Sequence, residues 1–358
     1  MAPQRYDAVV IGAGPAGCMA ALTLARRGVR TLVVEKASKG RWKVCGCCLG
    51  ALGRRTLHGA GLGGVLEGAS PIHTLTLAAG ASRAGLRQDG FVSLSRESLD
   101  AALADAAQHA GAHMRWNTSA VATPDGVVTL HDGQRIGAGV IIDASGLRGQ
   151  REDGSRVARR SRIGLGLTTD TAPCEPGVLT MAVARGGYLG RVALPDGRVD
   201  FAAAVRPAFV RAHASPTDAL RAIWQQAGLD PRDVPDGPWR GTPALTRTRG
   251  AQHGRVLRVG DAAGYVEPFT GEGMSWALLA AARIDADAIA CIERGPAASR
   301  WPRTLHALLA RRHARCRAVS RVVRSPRAVA IGVRAAHLVP SLGSWAAPAL
   351  CGRVRSPV

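Results

Sequence analysis

The chain of 358 residues is 46% hydrophobic and 20% charged, which excludes a disordered polymer and allows one large or two modest domains with a sizeable core. Aromatic residues at 4% argue against a base-stacking surface, so no specific nucleic acid is expected as a partner. The net charge of +21 comes almost wholly from arginine, with lysine only at Lys36, Lys39 and Lys43.

Residues 6–11 are a short apolar strand, and Gly12-Ala13-Gly14-Pro15-Ala16-Gly17 follows at once. Residues 18–27 have helical composition, Gly28 stops that helix, and 31–34 form a second strand ending at Glu35. This order predicts a βαβ unit. Residues 40–64 are rich in glycine and cysteine and read as a loop followed by a short helix. Residues 95–110 have helical spacing with Ser95 placed as N-cap, and 112–116 read as a strand. Residues 127–130 and 135–136 flank His131-Asp132-Gly133-Gln134 as a hairpin, and 140–143 form a buried-type strand leading into Ala144-Ser145-Gly146.

From 160 to 250 the pattern changes. Residues 163–169, 178–184, 188–194 and 199–205 read as antiparallel strands, with a turn at 195–198 and a helix over 217–227. Strand character returns at 256–259 and ends in Gly260-Asp261-Ala262-Ala263-Gly264. A loop over 268–273 and a helix over 274–293 follow, and the chain is mostly helical beyond Arg300. Residues 295–358 carry 12 arginines and no Asp or Glu.

Two segments carry the chemistry. In the first, Gly12 allows a tight turn, Gly14 lets a pyrophosphate approach the backbone, and Gly17 lets helix and strand pack closely, with Ala16 beside it. The N–H groups of the helix start suit phosphate. Glu35, with Lys36 next to it, stands where a carboxylate takes ribose hydroxyls, which favours FAD or NAD over NADP. In the second, a strand delivers Asp261 to a turn where it can hold a ribityl hydroxyl. The loop with Gly271, Gly273 and Met274 then opens a helix whose N-terminus can stabilise negative charge on a reduced flavin.

Together these segments resemble the FAD-dependent oxidoreductases of the aromatic-hydroxylase fold, and within them the geranylgeranyl reductase-related branch. Lys43-Val44-Cys45-Gly46 resembles that branch's K-V-C-G motif, and residues 260–274 resemble its G-D-A-A-G…P-x-T-G-E-G-[IM] motif. Arg96, in Ser95-Arg96-Glu97-Ser98-Leu99-Asp100, resembles the R-x-x-L/F-D arginine that approaches FAD, and residues 142–146 resemble the family's D-A-x-G segment. The resemblance covers residues 5–295 and implies an α/β fold. A Rossmann-like, glutathione-reductase-type FAD domain would take 1–64, 96–150 and 251–294. An antiparallel-sheet substrate domain would take 65–95 and 151–250, and a basic helical region 295–358.

The chain also departs from the branch. Where the prenyl reductases carry Y-x-W-x-F-P, this sequence has Tyr188-Leu189-Gly190-Arg191-Val192-Ala193, keeping only the tyrosine. The halogenase motif W-x-W-x-I-P is absent, and residues 143–148 only partly echo the hydroxylases' D-G-x-x-S. The resemblance therefore implies FAD as cofactor, while the missing strip favours a monooxygenase-type reaction on an apolar or aromatic, polyketide- or isoprenoid-like metabolite. Reduction of C=C bonds in a lipidic substrate is the alternative, and a non-catalytic flavin-binding module a further one. Electrons would come from NAD(P)H or a protein donor. With no second G-x-G-x-x-G that follows a strand and opens a helix, a nicotinamide would visit the flavin only transiently.

Cys45-Gly46-Cys47-Cys48 lies beside the isoalloxazine by the same resemblance. These thiols could form a redox pair or a thioether to the flavin, act as proton donor or substrate contact, or simply pack. No metal is expected, because a second Cys/His cluster at suitable spacing is missing. Cys45, Cys47 and Tyr188 are the catalytic candidates, and Lys43, Cys45 and Arg96 join the cofactor set. Ser145 sits in D-A-S-G rather than in a G-x-S-x-G elbow. His109 and His113 have Gly111 between them and lack the glutamate of H-E-x-x-H, and Cys18 is expected in the core. No disulfide framework or signal peptide is visible, so free thiols and a cytoplasmic location are expected. Apolar residues such as Val322, Val323, Val329 and Ile331 alternate with Arg321, Arg324, Arg327 and Arg334. That region is expected either to meet an anionic membrane peripherally or to pack on the body of the protein.

Overall fold

The computed structural model describes residues 5–149, 154–267, 269 and 271–338. A parallel sheet forms where the strands are short, apolar and buried on both faces. Its core order is Val256–Arg258, Arg135–Asp143, Arg5–Ile11, Thr31–Val34 and His113–Arg115. Each neighbouring pair runs parallel. Side-chain alternation divides the two faces. Ala8, Val10, Val33, Val140 and Ile142 pack with residues of the helices Pro15–Ala25, Arg96–His109 and Gly273–Ala281. Val9, Ile11, Leu32 and Ile141 face the other way, onto Val128, Leu130 and Ile136.

The second sheet is mostly antiparallel and has eight strands, with Ile163–Thr169, Val178–Ala184, Gly187–Ala193 and Val199–Val205 at its centre. Ser70–Ala79 joins it parallel to Val178–Ala184, and Ser82–Ser93 follows antiparallel. Again the strands alternate. Leu189, Ala182 and Phe201 pack on Leu220, Ile223 and Trp224 of the helix Pro216–Gln226. Tyr188, Met181 and Val183 face the opposite side, where Val323, Val329 and Val333 also pack.

The structure revises several local expectations. Residues 135–136 and 140–143 belong to one strand, Arg135–Asp143, which pairs with the hairpin at one end and with Arg5–Ile11 along its length. The helix expected over 274–293 is two helices, Gly273–Ala281 and Asp285–Arg294. The break has a tertiary cause: Asp285 pairs with Arg27 at 2.9 Å. Asp287 accepts the Arg300 N–H at 2.5 Å and the Thr304 hydroxyl at 2.9 Å. Both acids stand in the first turn of the second helix, where they complement its dipole.

The basic C-terminal region forms the helices Trp301–Val323 and Pro326–Leu338. Its apolar residues divide. Val323, Val329 and Val333 are buried against Leu75, Leu77 and Leu86, whereas Val322 and Ile331 are 54% and 69% exposed. Val339, Leu342, Cys351 and the last two arginines lie outside the described residues. Among the described residues no helix is long and apolar enough to cross a membrane.

Candidate active site

The two sheets enclose a cavity of about 950 Å³. One part is a cradle made by the first strand and its turn. Gly12 has φ +103°, and a Cβ there would meet the Ala144 carbonyl oxygen at 2.5 Å. A Cβ at Gly17 would sit 1.8 Å from the Gly12 oxygen, so Gly17 packs turn against helix and does not line the cavity. Gly14 and Ala16 do line it. Above Gly14 the nearest groups are two cations, Lys43 Nζ at 3.9 Å and Arg96 Nη2 at 4.0 Å from where a Cβ would be.

Those cations are held by one carboxylate. Ser95 caps the helix Arg96–His109, its hydroxyl accepting the Ser98 N–H, and so fixes the first turn. Asp100, one turn on, accepts Arg96 Nε and Nη2 at 2.9 Å each, and Lys43 Nζ at 2.9 Å. Burial alone would raise the Asp100 carboxyl, but Arg96 and Lys43 hold it below the usual carboxylate range. At the end of the second strand Glu35 accepts the Ala13 N–H at 2.8 Å and the Ala37 N–H at 3.0 Å, one on each oxygen. Each oxygen keeps a second lone pair on the cavity wall. Lys36 stands beside it, exposed at the rim.

Asp261, Gly271, Gly273 and Met274 complete the cradle across the cavity. Burial pushes the Asp261 carboxyl up to about 6, against the pull of Arg96, Arg249 and Arg247. Asp143, by contrast, serves the turn: its Oδ1 accepts the Ser145 N–H at 3.1 Å, and the residue is fully buried. These groups fit a dinucleotide. Two cations stand over Gly14, and the carboxylates Glu35 and Asp261 line the same cavity.

The rest of the cavity wall has an apolar part built by Leu75, Phe91, Leu179, Met181, Leu245 and Phe269, with small residues Gly164, Gly190, Ala202 and Ala204, and polar groups at Gln88, Arg191, Arg240 and Thr242. Tyr188 lines it with its ring, edge-on to Phe269 at 5.0 Å and under Arg162 at 5.4 Å. Burial and the neighbouring Glu267 push its hydroxyl upward, so it stays protonated. Arg162 and Glu267 form a buried pair at 2.7 Å. The Glu267 carbonyl accepts Ser320 Oγ at 3.0 Å, which ties the loop after Asp261 to the C-terminal helix.

The cysteine loop forms the boundary between cradle and apolar wall. Cys45 lines the cavity, with its sulfur 3.9 Å from Met274 Sδ. Cys47 does not line it; it is 3% exposed, with φ +49°, and sits behind Cys45. The Cys47 thiol, together with Arg96, pulls the Cys45 thiol down to about 6 in spite of burial. The same partnership and burial push Cys47 up. Of the two, Cys45 at the cavity wall is therefore the thiol that ionises more readily. Sequence reasoning missed Asp200, fully buried on the strand Val199–Val205, which also borders the cavity. A lone acid in an otherwise apolar strand was its signal.

The remaining candidates separate. His109 bonds its own helix at Asp105 O, and His113 meets the Tyr6 hydroxyl at 3.1 Å. Cys18 is fully buried in the first helix, and burial raises its thiol.

Residues 5–169 match the family described as FAD binding domain. The chain is 29% identical over 366 residues to menaquinone reductase of Mycobacterium tuberculosis, covering 88% of this chain and 82% of that protein. It is 29% identical over 321 residues to digeranylgeranylglycerophospholipid reductase of Methanosphaerula palustris, covering 81% and 78%. Among solved structures it superposes on PqsL of Pseudomonas aeruginosa, described as a probable FAD-dependent monooxygenase. The TM-score is 0.72 at 21% identity, over 93% of this chain and all of that one.

Proposed function

Starting from an FAD-dependent oxidoreductase, we propose that this protein reduces a carbon–carbon double bond in a long apolar, isoprenoid-type substrate, with NAD(P)H or a protein as electron source. The observation that carries this reading is the continuity of the cavity. An apolar wall from Leu75 to Leu245 runs straight into the cradle, and Cys45 stands at the junction. Support comes from the K-V-C-G segment and from relatives named as reductases of menaquinone and of a digeranylgeranyl lipid.

In this reading Lys43 and Arg96 take the pyrophosphate over Gly14, Glu35 takes the ribose, and Asp261 takes the ribityl chain. The N-terminus of the helix Gly273–Ala281 stabilises negative charge beside the ring. Bound FAD supplies the two electrons of the reduction. Leu75, Met181 and Phe269 exclude water, and Tyr188 holds the wall by its ring. Cys45 presents sulfur to the substrate and carries the proton. The exposed Val322 and Ile331, with exposed Arg321, Arg324 and Arg327 around them, form a peripheral contact for an anionic membrane that would hold a lipid-soluble substrate.

A monooxygenase reaction is the second reading. It is favoured by the loss of the aromatic strip, since Gly190 and Val192, both on the wall, are smaller than the Trp and Phe of that strip. An anaerobic experiment separates the two. The holoenzyme is photoreduced without oxygen and mixed with an isoprenoid quinone or a geranylgeranyl lipid. Return of the visible flavin band on mixing supports reduction. A band that stays bleached until oxygen is admitted supports oxygenation.

A further inference from the structure

Asp200 has no assigned role in holding the cofactor, and its surroundings are unusual for an acid. It is 1% exposed. Its Oδ1 accepts the Thr168 hydroxyl at 2.8 Å, and Thr168 Oγ1 in turn accepts Trp42 Nε1 at 2.7 Å. Its Oδ2 is buried and no formed hydrogen bond reaches it. The Cys47 thiol is a near neighbour that acts on the Asp200 carboxyl. Among the described residues no cation pairs with Asp200. Arg198, two positions along the chain, spends its guanidinium on Glu97 at 2.9 Å and Asp196 at 2.7 Å. Val192 stands opposite Asp200 on the other neighbouring strand and brings no charge. The titratable groups that face it are therefore Cys45 and Cys47, with Arg198 at its flank.

A carboxylate buried without a cation is costly, and the usual outcome is that the group keeps its proton. We propose that Asp200 holds a proton at neutral pH and passes it through Cys47 to Cys45, so that the three residues form a buried proton store for the substrate cavity. Burial lifts the Asp200 carboxyl to about 8; the Thr168 hydrogen bond opposes this and the charge on Cys45 adds to it. The resting arrangement is a Cys45 thiolate, a Cys47 thiol and an Asp200 carboxylic acid.

The transfer balances without any redox change in the chain. The Cys47 S–H bond breaks as its proton moves to the Cys45 thiolate, and the Asp200 O–H bond breaks as its proton replaces it on Cys47. The result is a neutral Cys45 thiol at the cavity and a carboxylate at Asp200. Cys45 then gives its proton to the substrate carbon and returns to thiolate. Water entering the cavity after product release reprotonates Asp200. Asp200 acts through the thiols and is a positioning residue, not one that touches substrate.

The role rests on the reading of the cavity as a site of reduction, but the protonation state is tested without turnover. Infrared difference spectra of the FAD-loaded protein, wild type against Asp200→Asn at pH 7, should show a carboxylic acid C=O stretch in the wild type only. It should fade as the pH is raised through about 8. Thr168→Val, which removes the donor to Oδ1, and Cys47→Ser should each shift the band. These two variants keep the test decisive if Asp200→Asn fails to fold. Absence of the band at pH 7, or a band that none of the three variants moves, overturns the proposal. A band of the predicted kind in a protein that never reduces a double bond keeps the protonated Asp200 and overturns the functional reading instead.

Discussion

Replacing Asp100 with Asn tests whether the two cations over Gly14 await an anion. Asp100 is 4% exposed in its side chain and takes three charge-assisted hydrogen bonds, two from Arg96 and one from Lys43, each at 2.9 Å. Asn keeps one acceptor oxygen and turns an N–H donor toward a cation. Breaking a buried ion pair costs about 3–5 kcal/mol. Lys43 is 27% exposed in its side chain, so water recovers part of its share, which places the loss in the apoprotein near about 3 kcal/mol. In the FAD-loaded protein the pyrophosphate stands in for the lost carboxylate. A hydrogen bond to a charged group contributes about 1.5–3 kcal/mol, so the deficit should fall to about half. Urea unfolding of both proteins, with and without FAD, gives the four stabilities. The acid limb adds a sign. Asp100 has a depressed carboxyl, so its contribution is present above the unfolded value of about 3.9 and is lost as the pH falls through its lower folded value. The variant should lack that loss. Equal deficits in apo and loaded protein would refute the placement of Arg96 and Lys43 at the pyrophosphate.

Four further outcomes are expected. Asp261→Ala should weaken FAD retention by about 1.5–3 kcal/mol, roughly 10- to 150-fold in Kd by fluorescence titration; unchanged affinity would remove Asp261 from the ribityl chain. Alkylation of Cys45 by iodoacetamide should rise through about pH 6 while Cys47 resists, as read by peptide mass spectrometry; equal labelling would contradict the thiolate–thiol pair. A Cβ at Gly190 would stand 2.8 Å from Met181 Sδ, so Gly190→Phe should narrow the wall and raise KM for long substrates more than for short ones; an equal effect on both would place Gly190 outside the substrate path. Co-sedimentation with anionic vesicles should be salt-sensitive and fall in Arg321→Glu/Arg324→Glu; no binding at low salt would assign that face to solvent.

Much of the cradle was legible because its signals are local. Gly12, Gly14, Gly17 and Glu35 fall within one βαβ unit, and each glycine answers a steric demand of the turn itself. Asp261 and the helix after it follow the same logic. What escaped was set by distant parts of the chain. The strand Ser70–Ala79 turns Pro71 and His73 outward, and Ser82–Ser93 turns Arg83, Gly85, Arg87 and Asp89 outward, so neither reads as a strand until the second sheet supplies a face. The break after Ala281 depends on Arg27, far earlier in the chain. Asp200 and the cysteine loop are likewise far apart in the chain, and only the fold brings them to one cavity. The arginine-rich tail showed its charge in the sequence but not that Val329 and Val333 are spent on packing.

The central claim is the reaction, and the mass of the product tests it most directly. The FAD-loaded protein, an electron donor and an isoprenoid lipid are incubated in deuterated water with oxygen rigorously excluded. Reduction of the double bond gives a product heavier by two hydrogens per reduced bond, at least one of them deuterium, formed as well without oxygen as with it. A product gaining an oxygen atom, formed only in air, would contradict it.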